Sequence, residues 1–164
     1  MANAQGGCLC GNTRYEVASQ PARVTICHCR FCQRATGSAY LVEPVFDARD
    51  FSVIKVTPKK YVHVSDGSGK EVHIHFCDNC GTKLFLTFER FADAVGVYGG
   101  TFDDPDWFEM TPGNTKHIFV GVAQRGTVIP PHINIFTEHA AKNDGTVIAP
   151  VVLDAPRIIG RTPV

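Results

Sequence analysis

Seven cysteines stand in three groups along this chain, and their spacing restricts its fold more than any other feature. Cys8 and Cys10 lie in "CLCG", Cys27, Cys29 and Cys32 in "CHCRFC", and Cys77 and Cys80 in "CDNCG". An odd count cannot pair fully into disulfides, and "MANAQGGCLCG" has neither the basic start nor the apolar core of a secretory signal. A reducing, cytoplasmic setting is expected, with metal ligation as the leading use of the thiols.

The first and third groups each end in glycine, Gly11 and Gly81, where the backbone can turn tightly under a metal and bring its amides to the sulfurs. Two such turns supply four thiolates, the complement of a closed tetrahedral zinc. Cys8, Cys10, Cys77 and Cys80 are therefore expected to share one structural zinc. Joining distant parts of the chain, its binding free energy becomes folding free energy.

Cys27, Cys29 and Cys32 are left with each other. The C-x-C-x-x-C spacing can wrap three thiolates around one metal and leave a fourth position open. Three thiolates give a Zn²⁺ ion a net charge of about minus one. Such a metal activates water poorly and is better matched to a further thiolate, whose pKa it lowers. Two other readings stay open. In the first, a histidine closes the site, either His28 within the motif or one of His63, His73 and His75. His28, set between two ligands, is expected to point away from their metal. His73 and His75 alternate with Val72, Ile74 and Phe76, which puts them on the opposite, solvated face of a strand. In the second, Cys29 and Cys32 form a redox C-x-x-C pair, although no thioredoxin-like βαβ pattern surrounds them.

The rest of the chain reads as mainly β. "TRYEV", "FSVIKV", "KKYVHV", "EVHIHF", "KLFLTF", "AVGVY", "HIFVGV" and "HINIF" are rich in β-branched and aromatic residues and are separated by Gly, Pro, Asp or Asn. The loop "DGSGK" predicts a hairpin over residues 59–77, and "FDDPDWFEMTPGN" predicts an ordered loop over 102–114. With 164 residues, 44% of them hydrophobic, the chain suits a single domain, 1–164. Residues 137–164 read as an edge strand, a surface tail or an arm onto a partner subunit, the last implying a homodimer. Lysine plus arginine balances aspartate plus glutamate at 16 each, so bulk charge draws neither nucleic acid nor an anionic membrane. No apolar run approaches the roughly 20 residues of a membrane span.

Taken in order, "GGCLCGNTRYEV", "CHCRFCQRATGSAYLV" and "HFCDNCGTKLF" resemble the glutathione-dependent formaldehyde-activating (GFA) family, which includes S-(hydroxymethyl)glutathione synthase and the centromere protein V group. "GVYGGTFDDPDWF" and "KHIFVG" resemble its downstream segments, so the resemblance runs over about residues 6 to 122. It implies an Mss4-like zinc-containing fold of short antiparallel strands and hairpins. It also implies two zinc ions per chain: a structural one at Cys8, Cys10, Cys77 and Cys80, and a second at Cys27, Cys29 and Cys32, where glutathione acts as co-substrate. The implied enzyme is a carbon–sulfur lyase, joining glutathione or a similar thiol to formaldehyde or another small aldehyde to give S-hydroxymethylglutathione. Arg30, Arg34 and Lys83 are candidates to meet the thiol substrate's carboxylates, and Thr36 and Ser38 to supply hydroxyls. The alternative is a non-catalytic binding or scaffold module with two structural zincs. The fourth ligand at Cys27, Cys29 and Cys32 separates the two: a protein side chain for a scaffold, water or an outside thiol for an enzyme.

Overall fold

The computed structural model describes residues 3–160. In chain order its elements are β1 (Ala4–Gly7), β2 (Arg14–Val17), β3 (Arg23–Cys27), α1 (Arg30–Thr36), β4 (Leu41–Asp47), β5 (Phe51–Val53), β6 (Lys59–Val64), β7 (Glu71–Phe76), β8 (Lys83–Phe88), β9 (Ala94–Val97), β10 (Thr115–Ile118), β11 (Val128–Ile129), β12 (Asn134–Ile135) and β13 (Arg157–Ile158). The protein is mainly β, as its sequence predicts. It forms two compact units, one from the stretch up to Ala22 with Glu43–Glu109, the other from Arg23–Val42 with the chain from Met110 onward.

The first unit carries the expected hairpins. Strands follow one another antiparallel in the order β4-β9-β8-β7-β6, and β1-β2-β5 form a smaller sheet. The hairpin over 59–77 is present, with Lys59 opposite Phe76 and Val64 opposite Glu71. Its loop closes through Ser65 and Lys70, with Gly69 at a φ of 67° that a side chain would strain. Tyr15, Val17, Phe46, Leu84, Val97 and Phe102 form the centre of the core, and Phe51, Trp107 and Phe108 pack onto it. Offset and edge-on ring pairs, such as Tyr15 with Phe51 and Tyr15 with Phe102, both at 5.5 Å, add to the area they bury.

The histidine face of the hairpin is not simply solvated. His75 stacks on Phe85 at 4.3 Å, and His73 and His75 both hydrogen-bond to the Thr87 hydroxyl, at 3.2 and 3.0 Å. The reason is register. His75 lies opposite Phe85 and His73 opposite Thr87, so the two imidazoles share their face with a large aromatic ring.

The second unit differs from the hairpin pattern. Its strands run β12-β10-β3, and both pairings are parallel, with Ile118 beside Cys27 and His117 beside Ile135. Parallel neighbours need long connections, which leave no turn signal in the sequence. Val120, Ile129, Ile135 and Ile159 make a small core. The segment read as an arm or edge strand folds back on its own unit through residue 160. Val151 bridges to Ile135, and β13 pairs antiparallel with β11. Residues 161–164 of that segment lie outside the described residues. No described helix is long and apolar enough to cross a membrane.

Gly6 shows how tightly the first unit closes. A Cβ there would run into the Tyr15 hydroxyl and would stand 2.5 Å from the Thr101 carbonyl, while one at Gly100 would meet nothing within 4 Å. Tyr15 cannot yield, being fully buried and bonded to the Thr101 hydroxyl at 2.8 Å. Gly6→Ala is expected to destabilise the protein by about 1–3 kcal/mol. Gly100→Ala is expected to change stability by less than about 0.5 kcal/mol. Chemical denaturation of the two variants checks both values.

Candidate metal centre

Two sulfur clusters emerge, one in each unit. The Sγ atoms of Cys8, Cys10, Cys77 and Cys80 all lie within 4.8 Å of one another, and so do those of Cys27, Cys29 and Cys32. Both groupings are those the spacing predicts.

The four-sulfur cluster is built from two similar turns. In the first, the Cys8 amide donates to the Thr13 carbonyl at 3.1 Å, and Gly11 returns to the Cys8 carbonyl at 3.0 Å. In the second, the Cys77 amide donates to the Thr82 carbonyl and Gly81 to the Cys77 carbonyl, both at 2.9 Å. Gly11 and Gly81 sit at φ of 71° and 72° in open space, so backbone conformation and not crowding selects glycine there. Sulfur meets sulfur across the turns, with Cys10 3.6 Å from Cys77. The Thr82 hydroxyl, which sequence reasoning missed, accepts the Leu9 amide at 3.3 Å and lies 3.2 Å from the Cys80 sulfur. Thr82, through its hydroxyl and its backbone, holds the Cys80 thiol down to about 5.

The three-sulfur cluster sits where β3 gives way to α1. Cys27 ends the strand, Cys29 caps the helix by accepting the Cys32 amide at 3.3 Å, and Cys32 lies in the first turn. Gly37, at a φ of 69°, ends the helix after seven residues. Cys29 is held down to about 3, first by the Cys27 thiol and then by Cys32, while Cys32 is pushed up, first by Cys27 and then by Cys29. The sulfurs thus ionise against one another, and ionising all three requires a cation among them. A soft divalent metal fits this donor set. Among the described residues no fourth His, Cys, Asp or Glu atom joins the three, and His63, His73 and His75 belong to neither cluster.

The loop bearing this trio is pinned on its far side. Gln33, almost fully buried, donates from Nε2 to the carbonyls of His28 (2.6 Å) and Val122 (3.0 Å). Arg30 donates to the Gln33 Oε1. The Thr36 hydroxyl donates to the Cys32 carbonyl at 2.8 Å and accepts the Ser38 amide at 3.1 Å. Arg30 and Thr36 therefore serve the loop itself, Arg34 and Ser38 are exposed beside it, and Lys83 lies on β8 in the first unit. His28 points away from the sulfurs as expected, but into a fully buried position, where its Nε2 lies 2.9 Å from the His117 Nδ1. Burial, partly offset by Cys29, pushes His28 down to about 4, and burial together with His28 pushes His117 down to about 4, so the pair is neutral at pH 7. Sequence reasoning missed His117 and Gln33. No local signal marked His117, because a strand position next to Ile118 reads as facing the opposite side.

The sequence model of the glutathione-dependent formaldehyde-activating enzyme family matches residues 3–122, which takes in all seven cysteines. This chain belongs to the GFA family. A GFA relative from Halomonas elongata, whose name assigns it provisionally to these enzymes, is 25% identical over 137 residues, covering 71% of this chain and 87% of that protein. A crystal structure of a Rhodobacter sphaeroides protein is similar at 20% identity with a TM-score of 0.49, over 60% of this chain and 87% of that one.

Proposed function

We propose that this GFA protein is a zinc-dependent carbon–sulfur lyase that joins glutathione, or a similar thiol, to formaldehyde or another small aldehyde. The single observation that carries the reading is the three-thiol cluster of Cys27, Cys29 and Cys32, which no fourth described side chain completes. Family membership adds the thiol and aldehyde classes.

Zinc held by the three cysteines would supply a soft Lewis acid that lowers the pKa of an incoming thiol. The chain's own part is to hold its ligands and to leave a face free. Cys27 and Cys32 are buried and Cys29 half-buried, so the trio is reached from the Cys29 side. Arg34, exposed in the last turn of α1, and Ser38, exposed just after it, would meet a peptide thiol's carboxylate and amide. The reaction is an addition that balances within its reactants: the thiol sulfur bonds to the aldehyde carbon, and the carbonyl oxygen takes a proton as the thiol loses its own. Holding the two reactants together is the main contribution, since the aldehyde is already reactive.

The four-sulfur cluster takes the structural role. Cys10 and Cys77 stand 67 residues apart, so a metal there ties the β1–β2 turn to the β7–β8 turn. An Mss4-like zinc fold in a reducing cytoplasm is the setting this reading implies.

Two outcomes are expected. Cys77→Ser or Cys80→Ser should leave the protein insoluble or much less stable, whereas Cys29→Ser or Cys32→Ser should leave it folded. Calorimetry on zinc-loaded samples checks this, and equal losses would count against the division of roles. Glutathione should bind zinc-loaded protein with proton release and more tightly as pH rises towards the thiol's own pKa, while S-methylglutathione should bind much more weakly. Titration calorimetry in buffers of different ionisation enthalpy, with cobalt substitution to follow the sulfur-to-metal band, reads both. Equal binding of the two ligands, or a cobalt band that ignores glutathione, would sink the reading and favour the scaffold alternative.

A further inference from the structure

A C-x-C segment presents both sulfurs to one metal only if the side chain between them goes the other way. Here that direction leads into the interior of the second unit, where His28 is fully buried. Burial alone is better met by leucine or phenylalanine, because an imidazole must find partners for its nitrogens or lose free energy. This imidazole finds one. Its Nε2 and the His117 Nδ1 share a hydrogen bond of 2.9 Å, the two rings lie end to end with centroids 5.2 Å apart and only 20° between their planes, and the Tyr40 ring meets His28 edge-on at 5.2 Å. His28 Nδ1 has no partner and lies buried. The arrangement keeps a polar ring in the interior at the cost of one unsatisfied nitrogen, and what it gains is a single directional bond to β10.

The backbone of His28 is tied as well. Its amide donates to the Ile118 carbonyl at 3.0 Å, and its carbonyl accepts from Gln33 at 2.6 Å. Three bonds therefore fix this one residue against β10 and α1, and the rotation of the Cys27–Cys29 segment is fixed with it.

We propose that the His28–His117 hydrogen bond is the positioning element of the thiol site, setting the directions of the Cys27 and Cys29 sulfurs and so the site's hold on its metal. The inference rests on the reading of this trio as a metal-assisted thiol site. Both histidines are positioning residues; neither touches substrate. Outer partners that orient metal ligands are commonly worth about 10–100-fold in metal affinity.

The test compares His117→Asn with His117→Leu. The asparagine amide can occupy the position of Nδ1 and keep the bond to His28. Leucine fills similar volume without it. Zinc-loaded proteins are titrated with a chromogenic chelator, and zinc release is followed alongside thermal unfolding. His117→Leu should release the trio's zinc at about tenfold lower chelator concentration, with the cobalt band of that site broadened. His117→Asn should behave as the wild type, and release from the four-cysteine site should be the same in all three proteins. A purely packing role predicts the opposite order, with leucine as good as wild type or better. If leucine and asparagine hold the trio's zinc alike, whether as wild type or equally weakened, the proposal is overturned. Should His117→Leu fail to fold, His28→Gln against His28→Phe makes the same comparison from the other side of the bond. A wild-type trio that holds zinc but ignores glutathione removes only the proposed reaction, while one that holds no zinc removes both.

Discussion

Thiolates crowded within a few ångströms repel one another unless a cation lies between them, and this constraint governs both sulfur clusters. The fold spends its local detail on bringing seven sulfurs into two groups whose members lie within 4.8 Å. At neutral pH a metal-free cluster settles for partial ionisation, as the lowered Cys29 and raised Cys32 show. A bound divalent ion removes that compromise, and the fold then gains the metal's binding free energy.

The two clusters meet the constraint differently. Cys8, Cys10, Cys77 and Cys80 come from two backbone turns closed by Gly11 and Gly81, and four sulfurs leave nothing for an outside ligand. Cys27, Cys29 and Cys32 come from one strand end and one helix start, and their loop is pinned from behind by His28, Gln33 and the β10 strand. The first arrangement joins distant chain segments. The second holds a partly open site rigid from its buried side, which suits binding and positioning of a small reactant.

The sulfur groupings were legible in the sequence because C-x-C and C-x-x-C followed by glycine leave few ways to place the thiols. The antiparallel hairpins were legible too, through alternation and turn residues such as "DGSG". Several elements were not. β1 carries the pair Gly6 and Gly7, β4 contains Pro44, and α1 has only seven residues, so none shows the period of its type. The parallel pairing of β3 with β10 leaves no local mark, and neither does the partnership of His28 with His117. A histidine on a strand reads alike whether it faces water or the interior. His75 made the same point from the other side, since only the register against Phe85 shows that its face is shared with an aromatic ring.

The central claim is that the trio holds a metal with three sulfurs and takes a fourth from an outside thiol. X-ray absorption at the zinc edge tests it most directly, on protein carrying two zinc ions per chain, before and after glutathione is added. With one site closed by four sulfurs and the other by three, the account predicts an average of about 3.5 sulfurs per zinc, rising to about 4 with glutathione. An average that glutathione leaves unchanged, or a histidine scattering signature at the second zinc, would contradict it.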